Sequence, residues 1–545
     1  MVNKDIKIVL AQINLCVGDI KRNTIQIIEN IDRAKDELHA DIIIFPELAI
    51  TSYPPEDLLL RPALHLQINK SLKNICNAAH GIDVIIGYPL LSEDKLHNSC
   101  SLVRDGEIKE TYHKHLLPNY GVFDEKRYFE PGNETILFDL HGVPTALSIC
   151  EDIWEERSCQ KAKDAGAKLM ININASPYHS GKVLIREKLL KLRAQESGLD
   201  IIYTNLVGGQ DELVFDGDSM AVNNKGNTVF RAPQFSEGLY LVHYSDIFED
   251  KFSVPDNFIY KALSEKESIY NALVLGVKDY VYKNGFTGAI IGLSGGIDSA
   301  LTLCIAVDAL GADNVEVLIM PSQYTASMSN EDAQCQAENL GVSFNIIPIE
   351  KPFAAFNKIL ESRFKNLPAD TTEENIQARC RGILLMALSN KTGELVLTTG
   401  NKSEMSVGYS TLYGDMAGGF APLKDIPKVL VFELANWRNK RQQIIPQRVI
   451  DRPPSAELRE GQKDEDSLPP YEVLDPILER YIELDQSPAE IVESGFDAEI
   501  VKQVISLVDR NEYKRRQAAP GVKISERAFG RDRRYPITSG YTEES

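Results

Sequence analysis

Long apolar runs are missing from this 545-residue chain. None approaches the roughly 18 residues that read as a membrane-crossing helix, so no membrane span is expected. The N-terminal MVNKDIKIVLAQ has neither the apolar stretch nor the small-residue cleavage site of a secretory leader. Cysteine is sparse and scattered, at positions 16, 76, 100, 150, 159, 304, 335 and 380, without a C-x-x-C pair. That argues against a disulfide framework or a structural zinc site and for a reducing compartment. Histidine stops at His243, so the second half has no imidazole to serve as base or metal ligand. Positive charge is short as well: 59 Lys and Arg face 79 Asp and Glu, a formal net charge of −20. Such a balance opposes binding to nucleic acid or anionic membranes. A cytoplasmic protein with neither partner is expected. Any phosphate it binds must be met by a local cradle of backbone N–H groups, metal or basic side chains.

What is present is ordinary globular composition, 43% apolar and 25% charged, which excludes disorder and fibrous architectures. The length suggests two or three domains at about 100–200 residues each. In the first half, short β-branched runs read as strands: Ile6–Ala11, Ile42–Phe45, Val84–Gly87, Ala146–Ile149, Leu169–Ile173 and Ile201–Asn205. Asn23–Leu38 and Ile185–Glu196 read as helices between them, and this alternation predicts layered α/β packing. A polar stretch with one proline, SDIFEDKFSVPDN, then reads as a linker. The expected boundaries are 1–244, a linker at 245–261, and 262–545. Beyond it, a helix over Ala262–Lys283 precedes strand Ala289–Leu293, helix Ala300–Leu310 and strand Val315–Met320, a βαβ unit of a parallel sheet. Arg452–Pro470 is acidic and rich in proline, and is expected to form a mobile surface loop.

The most informative segment is Gly292-Leu293-Ser294-Gly295-Gly296-Ile297-Asp298-Ser299, where a buried strand runs through a glycine turn into an apolar helix. Glycines let the backbone approach a ligand, and the helix N-terminus supplies free N–H donors and positive dipole, which together suit phosphate. Asp298 is the wrong charge for direct phosphate contact and is expected to act through Mg²⁺. The turn is no P-loop, because the Lys-Ser/Thr ending is absent. SGGIDS resembles the loop of the ATP pyrophosphatases, which cleave ATP between the α and β phosphates to adenylate a substrate. Further segments make the second half similar to NAD synthetases over about Ala262–Pro536. They are Glu374–Arg379 (ENIQAR), Thr398–Glu404 (TTGNKSE), Tyr413-Gly414-Asp415, Leu423-Lys424-Asp425 and Glu512–Arg516 (EYKRR). The resemblance implies a Rossmann-like parallel-sheet domain with Thr399 on ATP. It also implies Asp298 and Glu404 on Mg²⁺, and Asn375, Glu404 and Lys514 on deamido-NAD. The cationic stretch from Lys514 to Arg534 is expected to neutralise the dinucleotide's phosphates.

In the first half, three segments put reactive groups at strand ends. Ile42–Glu47 (IIIFPE) ends in a carboxylate, Tyr112–Tyr120 (YHKHLLPNY) carries Lys114, and Leu147–Trp154 (LSICEDIW) carries Cys150. A thiol attacks best when a neighbouring base takes its proton, and the oxyanion it creates needs positive charge or N–H donors nearby. In this order the segments resemble the nitrilase/amidase superfamily over roughly Ile6–Tyr244. That implies an α-β-β-α sandwich with Glu47, Lys114 and Cys150 as catalytic triad; His113 and His115 are read as structural. The two halves together resemble glutamine-dependent NAD synthetases. That resemblance adds Tyr120, Ser176 and Lys182 as glutamine contacts. It implies amidation of deamido-NAD through an adenylated nicotinate, channelling of ammonia within the protein, and a homo-oligomer. A GMP synthetase or tRNA-sulfurating enzyme fits less well, since the glutaminase is nitrilase-like and paired cysteines are absent. A dead scaffold is disfavoured because the candidate catalytic residues of both halves are intact.

Overall fold

The computed structural model describes residues 5–245, 251–253 and 260–541. The chain divides into two compact units, Met1–Ser268 and Ile269–Ser545. Of the expected linker at 245–261, residues 246–250 and 254–259 lie outside the described residues, while Phe252–Ser253 adds a short strand to the first sheet.

Unit one contains two large sheets. One has seven strands in the order Phe252–Ser253, Gly238–Tyr244, Ile6–Gln12, Ile42–Ile44, Asp83–Ser92, Lys95–Arg104, Glu107–His113. The other has six, Thr228–Arg231, Met220–Val222, Asp200–Asn205, Leu169–Asn174, Val143–Ile149, Leu137–Leu140. Successive side chains of a strand point to opposite faces, so strands buried on both faces read as unbroken apolar runs. The layers show that alternation directly. Leu169, Ile171 and Ile173 pack with Ile8, Leu10, Ile42, Ile44 and Ile85 in one core between the sheets. Met170, Ile201 and Tyr203 face the other way, against Leu190 and Ala194 of the helix Lys182–Ser197. On the outer face of the first sheet, Val9 and Ile43 pack against Ile27 and Ile31 of the helix Ile20–Asp36 and Ile68 and Ile75 of the helix Pro62–Ala78. The result is the expected α-β-β-α sandwich.

Unit two holds a four-stranded, wholly parallel sheet in the order Ser343–Ile346, Val315–Ile319, Ala289–Gly292, Leu395–Leu397. The chain enters at Ala289–Gly292, adds two strands on one side, and later places Leu395–Leu397 on the other. Strand order therefore reverses beside the first strand, and a crevice opens at the carboxyl ends of Ala289–Gly292 and Leu395–Leu397. In open α/β sheets this is where ligands bind. A helical layer packs beyond it, with Leu474 and Ile477 of Tyr471–Leu478 against Val501, Val504 and Val508 of Ala498–Arg510. Among the described residues no helix is long and apolar enough to cross a membrane.

Candidate active sites

In unit one, three strand ends converge. Glu47 follows the strand Ile42–Ile44, Lys114 follows Glu107–His113, and Cys150 follows Val143–Ile149. All three side chains are buried. Lys114 Nζ lies 2.8 Å from Glu47 Oε1, which also accepts from Asn98 Nδ2 at 2.7 Å; Glu47 Oε2 accepts from the Ala175 N–H at 3.0 Å. The carboxylate is thus pinned by two side chains and one backbone donor. Cys150 begins a short 3₁₀ turn with φ of +42°, a conformation a non-glycine residue adopts only when its surroundings impose it. The imposing group is Asp152. One of its oxygens accepts from the His115 and Leu116 N–H groups at 3.1 and 2.8 Å, the other from the Ile149 N–H at 3.1 Å and Tyr112 Oη at 2.8 Å. A single buried carboxylate ties the Lys114 segment to the Cys150 turn.

A further buried carboxylate stands in the site. Glu125 Oε1 lies 2.8 Å from Lys114 Nζ and accepts from Tyr53 Oη at 2.9 Å. Burial works against the Lys114 ammonium, but Glu125 and Glu47 outweigh it and hold its pKa well above the usual lysine value. Burial and the Glu47 charge push the Cys150 thiol well up, opposed by Lys114, so the resting side chain is a thiol. Sequence reasoning missed Glu125 and Asp152. Asp152 sat within the quoted segment, two residues past the thiol, whereas Glu125 opens a three-residue 3₁₀ turn too short to show a period.

The expected glutamine contacts surround this centre. Tyr120 is exposed and its Oη donates to both oxygens of Glu151, at 3.0 and 3.2 Å. Ser176 is buried one residue beyond Ala175, with its N–H on Asn205 Oδ1 at 2.9 Å. Lys182 opens a helix, where the dipole disfavours a cation, and its Nζ rests 4.1 Å from the Trp154 ring centroid.

In unit two, Ser294–Gly296 connects Ala289–Gly292 to the helix Ile297–Leu310. Gly295 has φ of +77°, and a Cβ there would stand 2.2 Å from the Ser329 carbonyl oxygen, so only glycine fits. Ser294 and Ser299 hydroxyls lie 3.1 Å apart, and the Gly296 N–H donates to Ser294 Oγ at 3.2 Å. A cavity of about 320 Å³ opens here, lined by this loop, Thr399, Glu404, Lys428 and Arg381, with Met320 and Leu385 among its apolar lining.

Asp298 and Glu404 do meet, but through a group that sequence reasoning missed. Lys428 Nζ lies 2.5 Å from Asp298 Oδ2 and 3.0 Å from Glu404 Oε1. Asn401 caps the helix Lys402–Val407 by accepting from the Glu404 N–H at 3.0 Å, and donates to Asp298 Oδ1 at 2.8 Å. One asparagine ties the ends of the two strands that flank the crevice. Burial pushes the Glu404 carboxyl up, against the pull of Lys428. Two carboxylates are a fitting contribution to Mg²⁺, which takes its remaining ligands from water and phosphate. Among the described residues no cluster of three or more His, Cys, Asp and Glu forms a ready-made cage.

Two expectations need correction. Arg452–Pro470 is no free surface loop. Arg452 donates to the Gly295 carbonyl and to Ser329 Oγ at 2.9 Å, Gln377 Nε2 donates to the Leu458 carbonyl at 2.9 Å, and residues 453–458 line the cavity. Its acidic, proline-rich composition was read as solvation, whereas the segment is fixed by side chains from distant helices. Nor is the basic stretch offered to phosphate as a whole. Arg515 and Arg533 are buried, Arg515 donating to the Ser406 carbonyl at 2.6 Å and Arg533 stacked 3.4 Å from the Tyr535 ring centroid. Lys514 Nζ donates to the carbonyls of Gly408 at 2.8 Å and Ser410 at 3.0 Å. Asn375 sits on the helix Thr371–Thr392 and accepts from Thr411 Oγ1 at 2.7 Å.

The family models divide the chain as the two compact units do, one carrying the buried thiol with its carboxylate–lysine pair and the other the crevice at the sheet's switch point. Carbon-nitrogen hydrolase matches residues 7–247 and NAD synthase residues 269–518. The glutamine-dependent NAD(+) synthetase of Acinetobacter baylyi is 49% identical over 541 residues, covering 99% of each chain. That of Thermotoga maritima is 44% identical, covering 99% of this chain and 100% of its own. The solved structure of the Acinetobacter baumannii enzyme in complex with ADP is 47% identical, with a TM-score of 0.81, and covers 99% of this chain and 100% of that one. The chain belongs to the glutamine-dependent NAD(+) synthetase family, ligases that take their amide nitrogen from glutamine.

Proposed function

We propose that unit one hydrolyses glutamine with Cys150 as nucleophile, Glu47 as base and Lys114 as oxyanion partner. The observation that carries this reading is the buried Glu47–Lys114 pair, 2.8 Å apart, at the strand ends that also bring Cys150. Because the resting thiol is protonated, attack on the amide carbon is coupled to proton transfer onto Glu47, which then delivers the proton to the departing ammonia. The tetrahedral oxyanion is met by Lys114 and the Glu151 N–H, a kind of donor whose loss typically costs about 10²–10³ in rate. Glu47 next activates water to free glutamate from the thioester. Glu125 accepts on the far side of Lys114, so that the ammonium stays in place. A free amino acid presents one anion and one cation: Lys182 suits its carboxylate and Glu151 its ammonium, with Tyr120 and Ser176 beside them.

In unit two, ATP occupies the cavity with its phosphates on residues 292–299 and Thr399, while Asn375, Glu404 and Lys514 take deamido-NAD. Mg²⁺ held by Asp298 and Glu404 would neutralise phosphate charge. Lys428 occupies the position between those carboxylates, so a cation held there would compete with it. The nicotinate carboxylate attacks the α-phosphorus of ATP, releasing pyrophosphate and leaving an acyl adenylate. Ammonia then displaces AMP from that carbonyl to form the carboxamide.

The test supplies the pure protein with ATP, Mg²⁺, deamido-NAD and either glutamine or an ammonium salt. Wild type forms NAD, AMP and pyrophosphate from both nitrogen sources, and Cys150→Ala forms them only from ammonium. Loss of the ammonium reaction as well in Cys150→Ala would refute the division of labour.

A further inference from the structure

The segment Gly408–Asp415 lies where two of the proposed dinucleotide contacts meet. Lys514 reaches it from the short helix Glu512–Arg515 and holds the carbonyls of Gly408 and Ser410. The other side is seated on the helix Thr371–Thr392. Asn375, Ala378, Arg379 and Gly382 fall at helical spacing on one face of that helix. A Cβ on Gly414 would stand 2.8 Å from Ala378 Cβ, and one on Gly382 would stand 2.9 Å from the Tyr413 carbonyl oxygen. Arg379 Nε donates to the Leu412 carbonyl at 3.2 Å. The turn is closed internally by the Thr411 N–H on Asp415 Oδ1 at 2.8 Å and the Gly414 N–H on the Thr411 carbonyl at 3.0 Å. Thr411, itself buried, is thereby fixed one helical turn from the close contact, with Oγ1 donating to Asn375 Oδ1 at 2.7 Å.

A side-chain amide has an acceptor end and a donor end of nearly the same shape. Which end faces a ligand is set by what holds the other. We infer that Thr411 is a positioning residue: its hydroxyl engages the oxygen of Asn375 and so presents the amide NH₂ to the deamidated dinucleotide. The inference rests on the proposed contact of Asn375 with deamido-NAD. With Lys514 held on the Gly408 and Ser410 carbonyls of the same segment, an NH₂ presented by Asn375 would give this end of the site two donors, suited to the anionic oxygens that distinguish a deamidated dinucleotide. With the amide reversed, its oxygen would face those anions and repel them. Small residues at 378, 382 and 414 set the distance at which this works, since a larger side chain would lift the turn off the helix.

The test compares Thr411→Val, which keeps shape and removes the donor, with Thr411→Ser, which keeps the donor. Ammonium-driven NAD synthesis is measured so that unit one is not involved. In Thr411→Val the KM for deamido-NAD should rise about fivefold, the loss expected for one neutral hydrogen bond. The kcat and the KM for ATP should stay within twofold, and Thr411→Ser should restore the wild-type KM. An unchanged KM in Thr411→Val, equal losses in the Ser and Val variants, or a parallel rise in the ATP KM would overturn the inference. Asn375→Ala separates this from the parent proposal. If it leaves the KM for deamido-NAD unchanged, Asn375 is no substrate contact. If it raises the KM while Thr411→Val does not, the contact stands and the role of Thr411 falls.

Discussion

Two carboxylates share one lysine at each site, but at the Cys150 turn Glu47 and Glu125 on Lys114 each take further donors, Asn98 and the Ala175 N–H on Glu47 and Tyr53 on Glu125. In the crevice Asp298 and Glu404 share Lys428, and Asn401 donates to Asp298. Glu47 is gripped by Lys114, Asn98 and a backbone N–H, and Asp152 gathers three N–H groups and a phenol. Asp298 and Glu404 instead rest on Lys428, with Asn401 as a hinge between them. On the proposed function, the difference matches what each site would bind. Glutamine is a net-neutral zwitterion, so unit one can build a complete electrostatic frame in advance. On the proposed function, ATP would arrive with several negative charges and metal, and Lys428 is the internal cation with which that metal would compete.

The contrast is broken most severely by Asp298→Asn. That change should lower synthesis from glutamine and from ammonium alike, by about 10²–10³, the scale of losing one electrostatic stabiliser. Glutamine hydrolysis assayed alone should be untouched; a fall in it would mean that the two frames are not independent. Asp152→Asn strikes the other frame. It places an NH₂ group against backbone donors and should destabilise unit one by about 1–3 kcal/mol, the cost of unmet buried groups. Glutamine hydrolysis should fall about tenfold while ammonium-driven synthesis is kept, a pattern that parallel assays with the two nitrogen donors would reveal.

Glu125→Gln gives the smallest and most diagnostic effect. Burial and the Glu47 charge lift the Glu125 carboxyl to about 7, although Lys114 pulls it down. A carboxyl with a raised pKa favours the folded state when protonated, and that contribution is lost as pH rises from the ordinary carboxylate range through about 7. Glutamine does not titrate. The Tm advantage of wild type over Glu125→Gln should therefore shrink between about pH 5 and about pH 8, followed by thermal denaturation in matched buffers. A gap that widened with pH would mean that Glu125 is held charged in the fold.

The parallel and central strands were legible because a strand buried on both faces is a run such as Ile42–Ile44 or Leu169–Ile173, which resembles little else. The hairpin strand Lys95–Arg104 was not, since KLHNSCSLVR mixes polar and apolar residues without a clean period. The candidate residues at strand ends, Glu47, Lys114 and Cys150, and the Ser294–Ser299 loop were singled out because their segments resemble those of known families. The supporting groups were not. Glu125 depends on Tyr53, 72 positions earlier, and Lys428 on Asp298, 130 positions earlier, and no local pattern records such pairings. Arg452–Pro470 misled for the same reason: its contacts with Gly295, Ser329 and Gln377 are all non-local.

The knot at Asp152 also determines where the chain tolerates a change of length. Because one carboxylate binds residues on both sides of the gap between His115 and Ile149, the reacting groups are registered by that carboxylate and not by the covalent path between them. The exposed turn at His141–Gly142, within that path, could take an inserted tag or epitope and leave the thiol aligned. One residue added between Cys150 and Asp152 would pull the carboxylate off all its donors at once. Spacing is thus elastic over the loop and rigid over three residues, and it is the short interval that would date any insertion as tolerable or ruinous.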